Sequence, residues 1–234
     1  MSTMNVILAM LGSIGGLLWL IELFRKKVQS RAFFSLFPSN QEVVIVVPSL
    51  GQSGPNITMT FEDALACATV QAEFIRHAIP YRVRLHTQVS NEDRAANLFV
   101  IGGEVVNQVM AAAASAIRLA VRAEPTPSGT QIRDHTGHVV HPAIRGGETD
   151  CAMIGVLRNP WSDDPYKRVY VAAGAEGIGT WAAALQLTTA SASLLERLRA
   201  LNVSPKDYFQ AIFDVRVNGH QRPTTFMTRA FQVA

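Results

Sequence analysis

The chain has 234 residues, of which 48% are hydrophobic and 17% charged, and its formal net charge is +3. That is enough chain to bury a full core in one domain of about 200 residues. No stretch after Lys27 gathers Lys and Arg with aromatic residues, so duplex nucleic acid is excluded as an expected partner. The two cysteines, Cys67 and Cys151, lie in apolar runs and read as small buried hydrophobes; no Cys/His spacing suits zinc, and neither a metal nor a cofactor is expected.

From Val6 to Phe24 the chain is apolar except for Ser13 and Glu22, and Arg25-Lys26-Lys27 follows at once. As a helix this run of about 19 residues spans roughly 28 Å, close to the thickness of a hydrocarbon core. The pattern predicts a single-pass transmembrane anchor over residues 1–25, with the basic cluster and everything after it cytoplasmic, and so a lipid bilayer as partner. Gly12 and Gly16 form a G-x-x-x-G pair that favours close helix–helix approach, which predicts a homo-oligomer. Residues 26–41, with Phe33, Phe34 and Phe37, read as a juxtamembrane connector, and residues 42–234 as one cytosolic domain.

Within that domain, Val43 to Val47 is a β-branched run that suits a strand buried on both faces. A loop from Ser49 to Asn56 follows, and Thr60, with Asp63 three residues on, caps a helix that ends before Pro80. Tyr81 to Leu85 and Asn97 to Ile101 read as strands. Gly102-Gly103 opens a predicted helix from about Glu104 to Arg122. Gln131 to His141 contains the turn Asp134-His-Thr-Gly-His, so its three histidines read as surface residues of a hairpin. Cys151 to Leu157 and Arg168 to Ala173 are predicted strands, and Gly174 to Thr180 turns the second into a helix. A further helix runs from Ser191 to about Leu201, and Phe209 to Val217 alternates as a last strand closed by Asn218-Gly219. Strands alternating with helices predict an α/β fold: a Rossmann-like, three-layer, mostly parallel sheet behind the anchor.

Three glycine-bearing loops each follow a strand, and loops at the carboxyl ends of parallel strands share one sheet edge, where ligands bind. Glycine admits close backbone approach, and a helix N-terminus offers N–H groups to an anion. The candidate ligand-binding residues are therefore Ser49, Gly51, Ser53, Gly102, Gly103, Asn107, Gly174, Glu176, Gly177, Gly179 and Thr180. Arg158 and Trp161 join them as a cation and a stacking face after another strand. The expected ligand is a nucleotide-like small molecule. Neither a G-x-G-x-x-G fingerprint nor a P-loop is present. No nucleophile, base and orienter set is recognisable, so no catalytic residue is assigned; were the chain an enzyme, Glu176 is the carboxylate best placed to act.

Ile101-Gly102-Gly103 and Gly177-Ile178-Gly179-Thr180, each at a strand end and a helix start, resemble the SLOG/LOG superfamily of Rossmann-like proteins that bind or process nucleotide derivatives. The resemblance implies a nucleotide-type ligand at those loops. Where the LOG pattern continues Gly-Thr with glutamate, this chain has Trp181-Ala182-Ala183-Ala184, which implies a sensor rather than a hydrolase. A membrane helix joined to such a domain is similar in layout to single-helix antiphage effectors with CARF-like sensor domains. The expected function is thus a membrane-anchored sensor/effector signalling through assembly of its helix. The alternatives are a membrane-tethered nucleotide hydrolase or glycosidic-bond-cleaving enzyme and a structural membrane scaffold.

Overall fold

A computed structural model describes residues 21–37, 41–49, 51–53, 56–144, 149–217 and 222–233. Residues 21–36 form helix α1. In chain order there follow β1 (Val43–Val47), β2 (Gly51–Ser53), β3 (Asn56–Thr58), α2 (Phe61–Arg76), β4 (Tyr81–Leu85), α3 (Asn91–Ala95), β5 (Asn97–Ile101), α4 (Gln108–Ala116), β6 (Val121–Thr126), β7 (Gly129–Asp134), β8 (Val139–Ile144), β9 (Thr149–Arg158), β10 (Arg168–Gly174), α5 (Gly177–Leu187), α6 (Ser191–Ala200), β11 (Phe209–Arg216) and β12 (Thr224–Gln232).

Among the described residues no helix is long and apolar enough to cross a membrane. This corrects the expected transmembrane anchor and the single-pass membrane placement, with a cytoplasmic domain, that followed from it. Most of the expected span, together with Gly12 and Gly16, lies outside the described residues. Its last part, Ile21 to Phe24, belongs to α1, which continues through Arg25-Lys26-Lys27 and over most of the expected connector. The reason is the spacing at the end of α1. Ala32, Phe33, Leu36 and Phe37 recur at helical intervals and are at most 7% exposed. Phe37 packs its ring against Phe33, Phe74, Phe99 and Tyr170, and the Tyr170 hydroxyl donates to the Leu36 carbonyl. The basic cluster therefore lies within a helix whose last turn is part of the core.

The main sheet has seven strands in the order β12-β11-β9-β10-β5-β1-β4. β4, β1, β5 and β10 pair in parallel, whereas β9, β11 and β12 extend the sheet by antiparallel pairings. The fold is α/β as expected, but the sheet is mixed rather than mostly parallel. The short link from β9 to β10 explains the difference: Asn159 to Lys167 holds no helix that could carry the chain back across the sheet, so β10 returns beside β9 in the opposite direction. Strand pleating then sorts the side chains. Val43, Ile45 and Val47 face a core shared with α1, α2, α5 and α6, while Val44 and Val46 face one built with α4, β6 and β7.

Two further differences follow from local chemistry. α4 is only nine residues long instead of running from about 104 to 122. Asn107 caps it at the front, and Ile117 is already extended behind it, leading into β6 with its buried Val121. β12, which the sequence reading left unassigned, pairs along the whole of β11 across a bulge at Ile212/Phe213.

Phe37→Ala should lower the unfolding free energy by about 3–5 kcal/mol, the range for emptying a buried aromatic site. Phe24→Ala, at a position 70% exposed, should change it by no more than about 0.5 kcal/mol. Urea unfolding of the two variants measures both.

Candidate functional site

The parallel strands β1, β4, β5 and β10 end at one sheet edge, where their loops and the N-termini of α2, α4 and α5 meet. Ser49, Gly102, Gly103, Asn107, Gly174, Glu176, Gly177, Gly179 and Thr180 are all brought there. Gly51 and Ser53 lie on β2, in the β2–β3 hairpin that follows β1. Arg158 and Trp161 are not brought there: β9 runs antiparallel, and Arg158 pairs with Arg168 at the start of β10, the opposite edge. Trp161 anchors its loop instead, under the Arg94 guanidinium at 5.6 Å, while Asn159 ties the same loop to the Arg94 and Ala96 carbonyls.

The glycine loop after β10 is held by a residue absent from the candidate set. Asp150, at the start of β9 and 3% exposed, accepts from the backbone N–H groups of Cys151 (2.6 Å), Glu176 (3.0 Å) and Gly179. Burial pushes its carboxyl pKa up, and these three amides pull it part of the way back. The glycines make this closure possible. A Cβ at Gly179 would collide with the Cys151 carbonyl, and one at Gly174 would collide with the backbone of Glu176 and Thr180. A Cβ at Gly177 would stand 2.9 Å from Glu62. These three glycines serve close packing of the chain on itself. Thr180 is 4% exposed, in the first turn of α5.

The N-terminus of α4 is closed in the same way. Asn107, fully buried, accepts from Val109 N (3.0 Å) and Met110 N (3.4 Å) and donates to the Ile101 and Val46 carbonyls. It is a cap that bolts α4 to β1 and β5. Gln108 N donates to His86 Nδ1 at 3.0 Å. Gly102, at φ +88, makes the turn before this cap, and a Cβ at Gly103 would meet Ala173 Cβ at 3.8 Å, an ordinary contact.

His86 is the second residue that the sequence reading missed. It follows β4, is 8% exposed, and places Nε2 3.2 Å from Ser49 Oγ. Because Nδ1 accepts from Gln108, the ring proton sits on Nε2 and faces Ser49. A histidine that deprotonates a serine needs the reverse: a bare nitrogen toward the hydroxyl and a donor N–H held by an orienting group. Ser49 is thus an acceptor from His86, with its own O–H directed elsewhere. Carboxylates also stand at this edge: Glu62 and Asp63 at the start of α2, the exposed Glu176, and Glu104 after Gly103, which lies 3.9 Å from Arg122 Nη1. Burial raises the pKa values of Asp63 and Glu104. With α4 closed, with Asp150 on the α5 loop and with acids around it, the edge offers acceptors more than anion-binding amides. Among the described residues no three His, Cys, Asp or Glu side chains converge as metal donors.

No protein-family model, curated protein or solved structure matches the chain.

Two outcomes test this geometry. Asp150→Ala should destabilise the fold by about 2–4 kcal/mol, since three N–H donors lose their acceptor in a buried place; thermal or urea unfolding reads it. Burial lowers the His86 pKa from its ordinary 6.5, a hydrogen bond to Ser49 offsetting this only in part. The unfolded chain then binds the extra proton first on acidification, so the stability that neutral His86 contributes is complete above about pH 6.5 and declines below it toward the lowered value. Unfolding free energies of the wild type and His86→Gln, measured from pH 8 to pH 5, should converge as the pH falls.

Proposed function

We propose that this domain is a sensor for a nucleotide-like small molecule, which it binds at the carboxyl edge of the parallel strands by the ligand's nucleoside end. The observation that supports this most is the set of polar side chains on the loops that follow β1, β4 and β10: Ser49 beside His86, and the exposed carboxylate of Glu176. Sugar hydroxyls and exocyclic amines are donors and suit such a lining, whereas a phosphate here would face Glu62 and Glu176. The likeness of the Gly102-Gly103 and Gly177–Thr180 loops to SLOG/LOG proteins points to the same ligand class. Binding without turnover is favoured over hydrolysis because the His86 tautomer leaves Ser49 unactivated, and among the described residues the Glu176 side chain has no partner to orient it.

Adenosine, an uncharged probe, should bind the wild-type domain. Gly103→Val should weaken that binding by about tenfold or more, because it adds bulk to the loop after β5 at an ordinary contact distance from Ala173. Its melting temperature should stay within a few degrees of the wild type. Isothermal titration of both proteins with adenosine decides the matter, and absent or unchanged binding removes the reading.

A further inference from the structure

A groove of about 580 Å³ runs along the outer face of the helical layer, between α1, α2 and α5. It lies away from the acidic edge and has the opposite charge. Arg25 and Lys26 from α1, Arg76 from the end of α2, and Arg222 ahead of β12 all line it, against the two carboxylates Glu22 and Glu73. Those two acids are already engaged. Glu73, 4% exposed, accepts from Arg76 Nη1 at 2.8 Å and from Thr189 Oγ1 at 3.4 Å. Glu22 stands 3.8 Å from Lys26. Among the described residues, neither Arg25 nor Arg222 has a carboxylate within ion-pair distance, so two positive charges face the groove uncompensated. Its wall also carries Trp181, a half-buried aromatic plate whose indole N–H is fixed by Thr69 Oγ1 at 3.1 Å.

We propose that this groove binds an organic phosphate carrying a planar ring. A phosphomonoester carries nearly two negative charges at neutral pH, which two free guanidinium groups match in number and in hydrogen-bonding geometry. Trp181 offers a stacking surface to a ring, and stacking on indole tolerates many ring types. The volume is within the range of small-ligand sites. The site is distinct from the sheet edge: the edge supplies acceptors, the groove supplies donors and cations, and neither reading depends on the other.

The test titrates the full chain with adenosine 5′-monophosphate by calorimetry and follows the Trp181 indole N–H by NMR, its signal assigned with Trp161→Phe and Trp181→Phe. The monophosphate should bind, shift the Trp181 signal, and bind more weakly as salt rises, since exposed charges carry the contact. Arg25→Ala combined with Arg222→Ala should weaken binding by about tenfold or more, while circular dichroism and the melting curve stay those of the folded protein. Gly103→Val should leave this binding intact, which separates the groove from the edge. The proposal is overturned if the monophosphate fails to bind up to about 10 mM, a level at which any specific site would register. It is equally overturned if the double arginine variant binds as the wild type does, or if Gly103→Val alone abolishes binding.

Discussion

The carboxylate of Asp150 joins the two halves of this fold. It sits on the first turn-out of an antiparallel strand and takes up the amides of the glycine loop that ends a parallel one. Without that acceptor the loop's N–H groups would be buried and unpaired, and the register of β9 against β10 would lose its fixed end. The glycines at 174 and 179 are consequences of the same contact, for any side chain there would push the loop off the carboxylate. Alanines Ala182 to Ala184, fully buried in the middle of α5, let that helix settle directly on the sheet. The loop, the strand reversal and the helix packing thus form one constraint.

That constraint changes what the glycine loop is for. A helix N-terminus beside glycines is an open anion site only when its N–H groups are unclaimed. Here α4 is claimed by Asn107 and His86, and the α5 loop by Asp150. Positive potential at these helix ends is spent on the chain's own side chains, and the surrounding Glu62 and Glu176 tilt the edge toward donor-bearing ligands. The cations that a phosphate needs lie elsewhere, on α1 and near the end of α2.

Much of the fold was legible because periodicity is local. The run Val43 to Val47 suits a strand buried on both faces, and all five residues are buried in one; Thr60 with Asp63 marks the start of α2, where Asp63 N does donate to Thr60 Oγ1 at 3.0 Å. Gly102-Gly103 and the Gly174–Thr180 loop do follow β5 and β10, whereas Gly51 and Ser53, expected in a loop, lie on strand β2. What the sequence hid was direction. Nothing in Cys151 to Leu157 says which way the strand runs, so the sequence alone sets Arg158 and Trp161 beside loops at the opposite edge and does not single out Asp150. His86 was legible in principle, as the first residue after a parallel strand. Its isolation from any motif concealed it.

The N-terminal run shows the same limit more sharply. Hydropathy and a trailing basic cluster are what a membrane anchor looks like, and both are properties of composition along a line. The decisive information is three-dimensional: Phe33, Leu36 and Phe37 recur at a helical interval, and Phe74, Phe99 and Tyr170, far apart in the chain, form the aromatic pocket that receives them. Once the end of α1 is fixed in that pocket, its middle turns must lie across α2 and α5, where Gln29 donates to the Thr189 carbonyl. Arg25 and Lys26 are then carried over a groove already bordered by Arg76 and Trp181. A basic cluster that reads as a topology signal becomes, by the packing of two phenylalanines, one wall of a groove.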